Sequence, residues 1–171
     1  MKTMEIELID YKNCTSIKNS FCSMRDKKDC FASFLNNKAM VYSDSTKVFV
    51  NKNNNDIIGY FTYRYIKEII VKKECPYMPK VEIMMFAIDT KYQDRYRSNQ
   101  LKPIAAECLD ISIGLLKKQG FGEKNNSICL YAAFHAINFY KLNHFVDITN
   151  YLIVNENTYL FAYDKQNNGI C

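Results

Sequence analysis

Apolar and polar residues alternate along MEIELIDY, residues 4–11, the period-two signature of a strand with one covered face. Between residues 16 and 43 the period changes. Phe31, Phe34, Leu35 and Ala39 recur at helical spacing, so this stretch predicts one or two helices. Residues 47–65, KVFVNKNNNDIIGYFTYRY, carry two strand-like runs around NKNNND, a polar tract suited to a hairpin turn. The run after it is irregular, and Pro76 and Pro79 mark a loop before the next strand. KVEIMMFAIDT, residues 80–90, is the most apolar run of the chain and predicts a central strand buried on both faces.

The polar, basic segment KYQDRYRSNQLK leads to Pro103. Proline at a first helical turn predicts an amphipathic helix over 103–116. Its apolar stripe is Ile104, Ala105, Cys108, Leu109, Ile113 and Leu116, and Gly120 stops it. NSICLYAA (126–133) reads as another buried strand, HAINFYKLNHFVD (135–147) as a short helix, and residues 147–164 as a closing hairpin around NEN. No internal repeat or linker tract interrupts the chain, so the expectation is one domain over residues 1–171.

Composition narrows the classes. A hydrophobic fraction of 48% with 13 Tyr and 11 Phe belongs to a chain that folds, not to a disordered one. The net charge of +5 suits an anionic ligand such as a nucleotide or RNA without requiring one. The 7 cysteines form no Cys-x-x-Cys pair, and the 2 histidines, His135 and His144, give no metal-ligand spacing. Reduced structural thiols and no metal are therefore expected. The N-terminal residues lack the apolar core of a secretion signal, and no stretch has membrane-spanning length, so a cytoplasmic location is expected.

Three stretches in this order resemble the GNAT superfamily of acetyl-CoA-dependent N-acetyltransferases. They are IIGYFTYRY (57–65), VEIMMFAIDTKYQ with its basic loop and helix (81–116), and ICLYAAFHAINFYKLNHF (128–145). The last is similar to the family ending A-x-x-F-Y-x-x-x-G-F, with Ala136, Phe139 and Tyr140 in place and His144 where glycine stands in the family. The resemblance implies an α/β (α+β) fold: a mixed, mostly antiparallel sheet of six or seven strands flanked by about four helices. It implies an acyltransferase with acetyl-CoA as co-substrate.

In the family, the loop before the helix holds the pyrophosphate on backbone N–H groups and the positive helix end. Here that loop has no glycine, and two registers fit the family pattern. One begins at Gln93 and runs through Tyr96 and Ser98; the other, preferred, begins at Arg97 and runs through Asn99, Gln100, Leu101 and Lys102. Arg95, Arg97 and Lys102 add cations in either case. The backbone of Phe86, Ala87 and Ile88 is implied to pair with the pantetheine arm like an added strand.

By the same resemblance, Tyr140 is the general acid that protonates the departing CoA thiolate. A phenol of pKa about 10 suits a leaving group of comparable basicity. Glu82 and Asn138 are the acceptor-side candidates, while His135 and His144 match no family catalytic position. Direct transfer to the amine leaves the cysteines without a catalytic role.

The acceptor is either a small primary amine or, by likeness to the toxin-type branch, the amino group of aminoacyl-tRNA, with an antitoxin as partner. The features similar to that branch are the helix containing Phe34, Leu35 and Ala39, the strand entering from Ser45 and Thr46, and Gly59-Tyr60 in the next strand. Candidate phosphate contacts are Arg64, Lys67, Lys72, Lys73, Arg95 and Arg97. The glycine-free loop admits a non-catalytic interaction module as a third reading, and the terminal hairpin leaves room for a homodimer.

Overall fold

The computed structural model describes residues 4–14, 21–23, 30–95, 102–154 and 157–166. Its strands are β1 (Ile6–Asp10), β2 (Thr46–Asn51), β3 (Ile57–Tyr65), β4 (Pro79–Ile88), β5 (Ser127–Ala132), β6 (Phe145–Asp147) and β7 (Tyr159–Tyr163). Its α-helices are α1 (Cys30–Asn37), α2 (Ile104–Lys118) and α3 (Ile137–Leu142). The strands form a sheet in the order β1-β2-β3-β4-β5-β7-β6. Pairing is antiparallel for β1 with β2, β2 with β3, β5 with β7 and β6 with β7, and parallel for β4 with β5. This is the mixed, mostly antiparallel sheet expected from the sequence. Three α-helices stand where about four were expected, and part of the 16–43 stretch lies outside the described residues.

The chain forms two compact units: residues up to Tyr63 with Met85–Ser112, and Arg64–Met84 with Ile113 onward. In the first, the polar tract 51–56 makes the predicted hairpin, with the Asn51 N–H donating to the Asp56 carbonyl at 2.9 Å. Two phenols fasten α1 to its core. Tyr60, fully buried and stacked on Phe34 at 6.0 Å, donates to the Phe31 carbonyl at 2.7 Å, and Tyr11 donates to the Leu35 carbonyl at 3.2 Å. A buried tyrosine contributes ring area while its hydroxyl satisfies a helix carbonyl, so the pattern costs no unpaired polar group.

The second unit packs Val71, Tyr77, Cys129, Ile148, Leu152, Leu160 and Ala162 together. Its edge departs from the expected hairpin. NYLIV does not extend as a strand; residues 149–151 turn into a short 3-10 helix, and NEN includes residues outside the described ones. The physical reason is local. The Asp147 carboxylate accepts the Thr149 N–H at 2.9 Å, and the Thr149 hydroxyl accepts the Leu160 N–H at 3.0 Å. These side chains satisfy backbone groups that a ladder would otherwise need.

The 135–147 segment is also subdivided. A 3-10 turn (Phe134–Ala136) leads into α3, and β6 follows at once. The reversal from helix to strand is made at His144, with φ of 66°. That is the left-handed conformation glycine adopts without strain after a helix C-terminus, which explains why a glycine would fit there. The His144 carbonyl accepts the Asp164 N–H at 2.8 Å, tying the corner to the end of β7. His144→Gly should therefore be at least as stable as the native protein in urea, while His144→Val should lose about 1–2 kcal/mol, since a β-branched residue resists this conformation. Equal stability of the two variants would mean the corner is not strained.

Candidate active site

In the first unit the candidate cofactor strand is the outer half of β4. Ala87 and Ile88 are buried, while Met85 and Phe86 are only half-buried. The expectation of burial on both faces is thus corrected for the middle of the strand. The Phe86 ring lies 6.4 Å from that of Phe49, edge to face. Beside it, on the neighbouring strand β3, runs Gly59. A Cβ there would stand 2.3 Å from the Ala87 carbonyl oxygen and 2.7 Å from the Ile88 side chain, so this position accepts no side chain without moving β4.

The end of β4 is held by Asp89, which sequence reasoning did not single out. Its buried carboxylate accepts the N–H of Cys22 at 3.0 Å and of Lys91 at 2.9 Å, while its own N–H donates to the Ile58 carbonyl at 2.8 Å. Acidic side chains that cap a strand end leave only a polar residue after an apolar run as their signal. Gln93 is tied down as well. Its side-chain amide donates to the Ile88 carbonyl at 2.7 Å and to the Ser23 carbonyl at 2.6 Å.

Arg97, Asn99, Gln100 and Leu101, with Tyr96 and Ser98 of the competing register, lie outside the described residues. Where the chain is described again, Lys102 is ion-paired with Asp110 of α2. The α2 stripe differs from expectation in one place, with Ala106 buried and Ala105 half-buried. Two groups of its first turn are already used: the Ile104 N–H donates to the Arg95 carbonyl at 2.9 Å and the Glu107 N–H to the Pro103 carbonyl at 3.1 Å.

In the second unit the parallel ladder of β4 and β5 runs from Pro79↔Ser127 to Glu82↔Cys129. Glu82, the last β4 residue of that register, is buried, and its carboxylate accepts the Arg64 Nε–H at 2.7 Å. Arg64 was expected among the phosphate contacts; it is the partner of Glu82, with its side chain still 57% exposed. Asn138 and His135 are exposed on the turn and helix after β5.

Tyr140 is the buried member of the Phe139-Tyr140 pair. The rings of Phe139 and Phe145 stand 5.3 and 5.7 Å from it, both edge to face, and Phe139 is half-buried. Burial pushes the Tyr140 phenol above its ordinary range, because ionisation would place a charge among aromatic rings. The phenol is protonated at physiological pH, as an unshifted one would be, and the shift makes it a weaker acid than a free tyrosine. Burial likewise raises the thiols of Cys108 and Cys129, so neither is a thiolate nucleophile. Among the described residues, no group of three His, Cys, Asp or Glu side chains is arranged to hold a metal ion, and no helix is long and apolar enough to cross a membrane.

No protein-family model and no curated protein matches the sequence. Solved structures do. AtaT complexed with acetyl-methionyl-tRNAfMet is 15% identical, with a TM-score of 0.68 over 95% of this chain and 95% of that one. AtaTR bound with acetyl-CoA is 16% identical, with a TM-score of 0.63 over 95% of this chain and 94% of that one. A Tyr-to-Phe variant of KacT is 18% identical, with a TM-score of 0.61 over 95% of both chains. The chain has the GNAT fold that its three motif stretches imply.

The close passage at Gly59 yields a measurable consequence. Gly59→Ala should lose about 1–3 kcal/mol of stability, because the added carbon overpacks against backbone and not against a flexible side chain. If the carbonyl of Ala87 is part of the cofactor strand, the soluble variant should also bind acetyl-CoA more weakly in calorimetry. Unchanged stability would mean that β4 yields freely at this point.

Proposed function

We propose that the protein is an N-acetyltransferase that moves the acetyl group of acetyl-CoA directly onto the amino group of an aminoacyl-tRNA. What carries the reading is the place of Tyr140, a buried phenol on the short helix after β5. It occurs in a chain whose fold matches proteins solved with acetyl-CoA and with acetyl-methionyl-tRNA. AtaT and KacT have both been solved as Tyr-to-Phe variants, the change that removes the phenolic hydroxyl and keeps the ring. Exposed cations on the segment after β3, Lys67, Lys72 and Lys73, supply charge that an RNA acceptor calls for, while Arg64, within β3, is paired with Glu82.

In this reading the amine nitrogen attacks the thioester carbonyl, a C–N bond forms and the C–S bond breaks. The Tyr140 hydroxyl gives its proton to the departing sulfur, the ammonium formed at the amine loses a proton to solvent, and a proton from solvent restores the phenol. The backbone of Phe86, Ala87 and Ile88 binds the pantetheine arm, and Arg97, Asn99, Gln100, Leu101 and Lys102 hold the pyrophosphate, for which Lys102 must release Asp110. Glu82, steadied by Arg64, and Asn138 face the acceptor. An antitoxin partner is proposed on the same footing, because AtaT is solved in complex with AtaR.

Replacing Tyr140 with Phe tests the reading directly. Expected is a fall in kcat of about 10²–10³-fold with the KM for acetyl-CoA within roughly twofold, since proton transfer contributes about that much. Because its pKa is raised, Tyr140 keeps its proton through about pH 10, so kcat should show no descending limb from this group below that pH. A variant with undiminished kcat would remove Tyr140 from the mechanism. Absence of acetyl-CoA binding by the native chain in calorimetry would remove the enzyme reading itself.

A further inference from the structure

In the second unit, α3 carries Tyr140 on only six residues, and its N-cap residue, Ala136, has no side chain able to cap it. A helix this short does not hold its own place, so its packing decides where Tyr140 stands. The chain leaves α3 through the corner at His144 and enters β6, a three-residue edge strand whose ladder partner is β7. Two links join this strand pair to the helix. The Phe145 ring stands 5.7 Å from that of Tyr140 and 5.6 Å from that of Tyr163, edge to face with each, and Phe145 faces Tyr163 in the β6–β7 register. One residue further on, the Asp164 N–H donates to the His144 carbonyl at 2.8 Å.

The end of β7 is itself fixed by side chains. Lys117 of α2 donates to the Tyr163 hydroxyl at 3.2 Å. Both oxygens of the half-buried Asp164 carboxylate are in use. Oδ1 accepts the Gln166 N–H at 3.0 Å, which closes the turn after the strand. Oδ2 accepts the hydroxyl of Tyr77 at 2.7 Å, and the Lys124 ammonium stands 3.8 Å from it. Tyr77 is buried in the segment before β4. Burial, with the Asp164 carboxylate beside it, pushes the Tyr77 phenol up to about 12, so it stays a donor. Burial opposes ionisation of Asp164, yet the Tyr77 hydroxyl, the Gln166 N–H and Lys124 outweigh it and hold the carboxyl below its ordinary range. A neutral donor facing a charged acceptor makes one of the stronger hydrogen bonds of a protein.

Resting on Tyr140 as the proton donor of the reading above, we propose that Asp164, locked by Tyr77, is a positioning residue: it anchors the corner that ends α3 and so sets where the Tyr140 hydroxyl stands. Both residues act through Tyr140 and not on the reacting atoms. Any non-proline residue at 164 could offer its N–H to His144; the carboxylate is what ties that backbone to the segment before β4. A proton donor is sensitive to such an anchor. Transfer needs the two heavy atoms within about 2.6–3.2 Å, and a misplacement of about 1 Å can cost roughly 10²-fold.

The test is a double-mutant cycle on the full-length protein, with turnover of acetyl-CoA and bulk aminoacylated tRNA as the assay. Tyr77→Phe removes the hydroxyl and keeps the ring, while Asp164→Ala removes the acceptor. Each is made alone and together with Tyr140→Phe. Circular dichroism and acetyl-CoA calorimetry establish that the variants are folded, and Tyr77→Phe, the smaller change, decides the matter should Asp164→Ala fail to fold. Each single change should lower kcat about fivefold or more with the KM for acetyl-CoA within about twofold, the split expected of a misplaced donor. In the Tyr140→Phe background the same changes should alter kcat by less than about twofold, because no donor is left to misplace. An equal fall in both backgrounds would make the pair a purely structural support and overturn the proposal. Undiminished kcat in the single variants would also overturn it and leave Tyr140 standing as the donor. If Tyr140→Phe keeps full kcat, or the native protein acetylates no aminoacyl-tRNA, the underlying reading fails and the positioning role with it.

Discussion

The structure turns on one constraint: β4 and β5 run parallel. An antiparallel pair can be closed by a tight turn, but a parallel pair obliges the chain to travel back the length of the strand before the next one begins. Here that return is the loop after Ile88 followed by α2. The requirement puts a helix N-terminus immediately after the loop that leaves the central strand. Backbone N–H groups without intrahelical acceptors gather at such an end.

Against that frame, the polar groups around β4 have distinct duties. Asp89 and Gln93 bind backbone groups and fix where the strand stops. Glu82 is paired with Arg64 at the last position of the β4–β5 register. Tyr140, by contrast, is surrounded by rings, which place it by packing and raise the pKa of its phenol. A buried carboxylate is stabilised by partners and a buried phenol by staying neutral, and the two sites are built accordingly.

The strands and helices with strong periodicity were legible from the residues. β1, the β2–β3 hairpin, β4, α2 and β5 stand within a few residues of the positions that the apolar pattern predicts. The short helix that carries Tyr140 was legible too, and the resemblance of Ala136, Phe139 and Tyr140 to the family ending is what singled that residue out. The closing hairpin was not. Its first arm reads as extended, yet the Asp147 and Thr149 side chains capture backbone groups at short range and fold residues 149–151 into a turn. Periodicity records which residues avoid water. It does not record whether a neighbouring carboxylate or hydroxyl will reach the backbone first.

The sequence by itself determined the fold class and the residue types at the proposed chemistry, because hydrophobic period and the order of motifs are local properties that survive without coordinates. Tertiary structure decided what those residues touch. It put Arg64 on Glu82, set Gly59 close against the Ala87 carbonyl, and chose Tyr140 over Phe139 as the buried ring. It also brought Tyr77 and Asp164, far apart along the chain, into one hydrogen bond. Each of these is a meeting between distant segments, and only the packed backbone sets that distance.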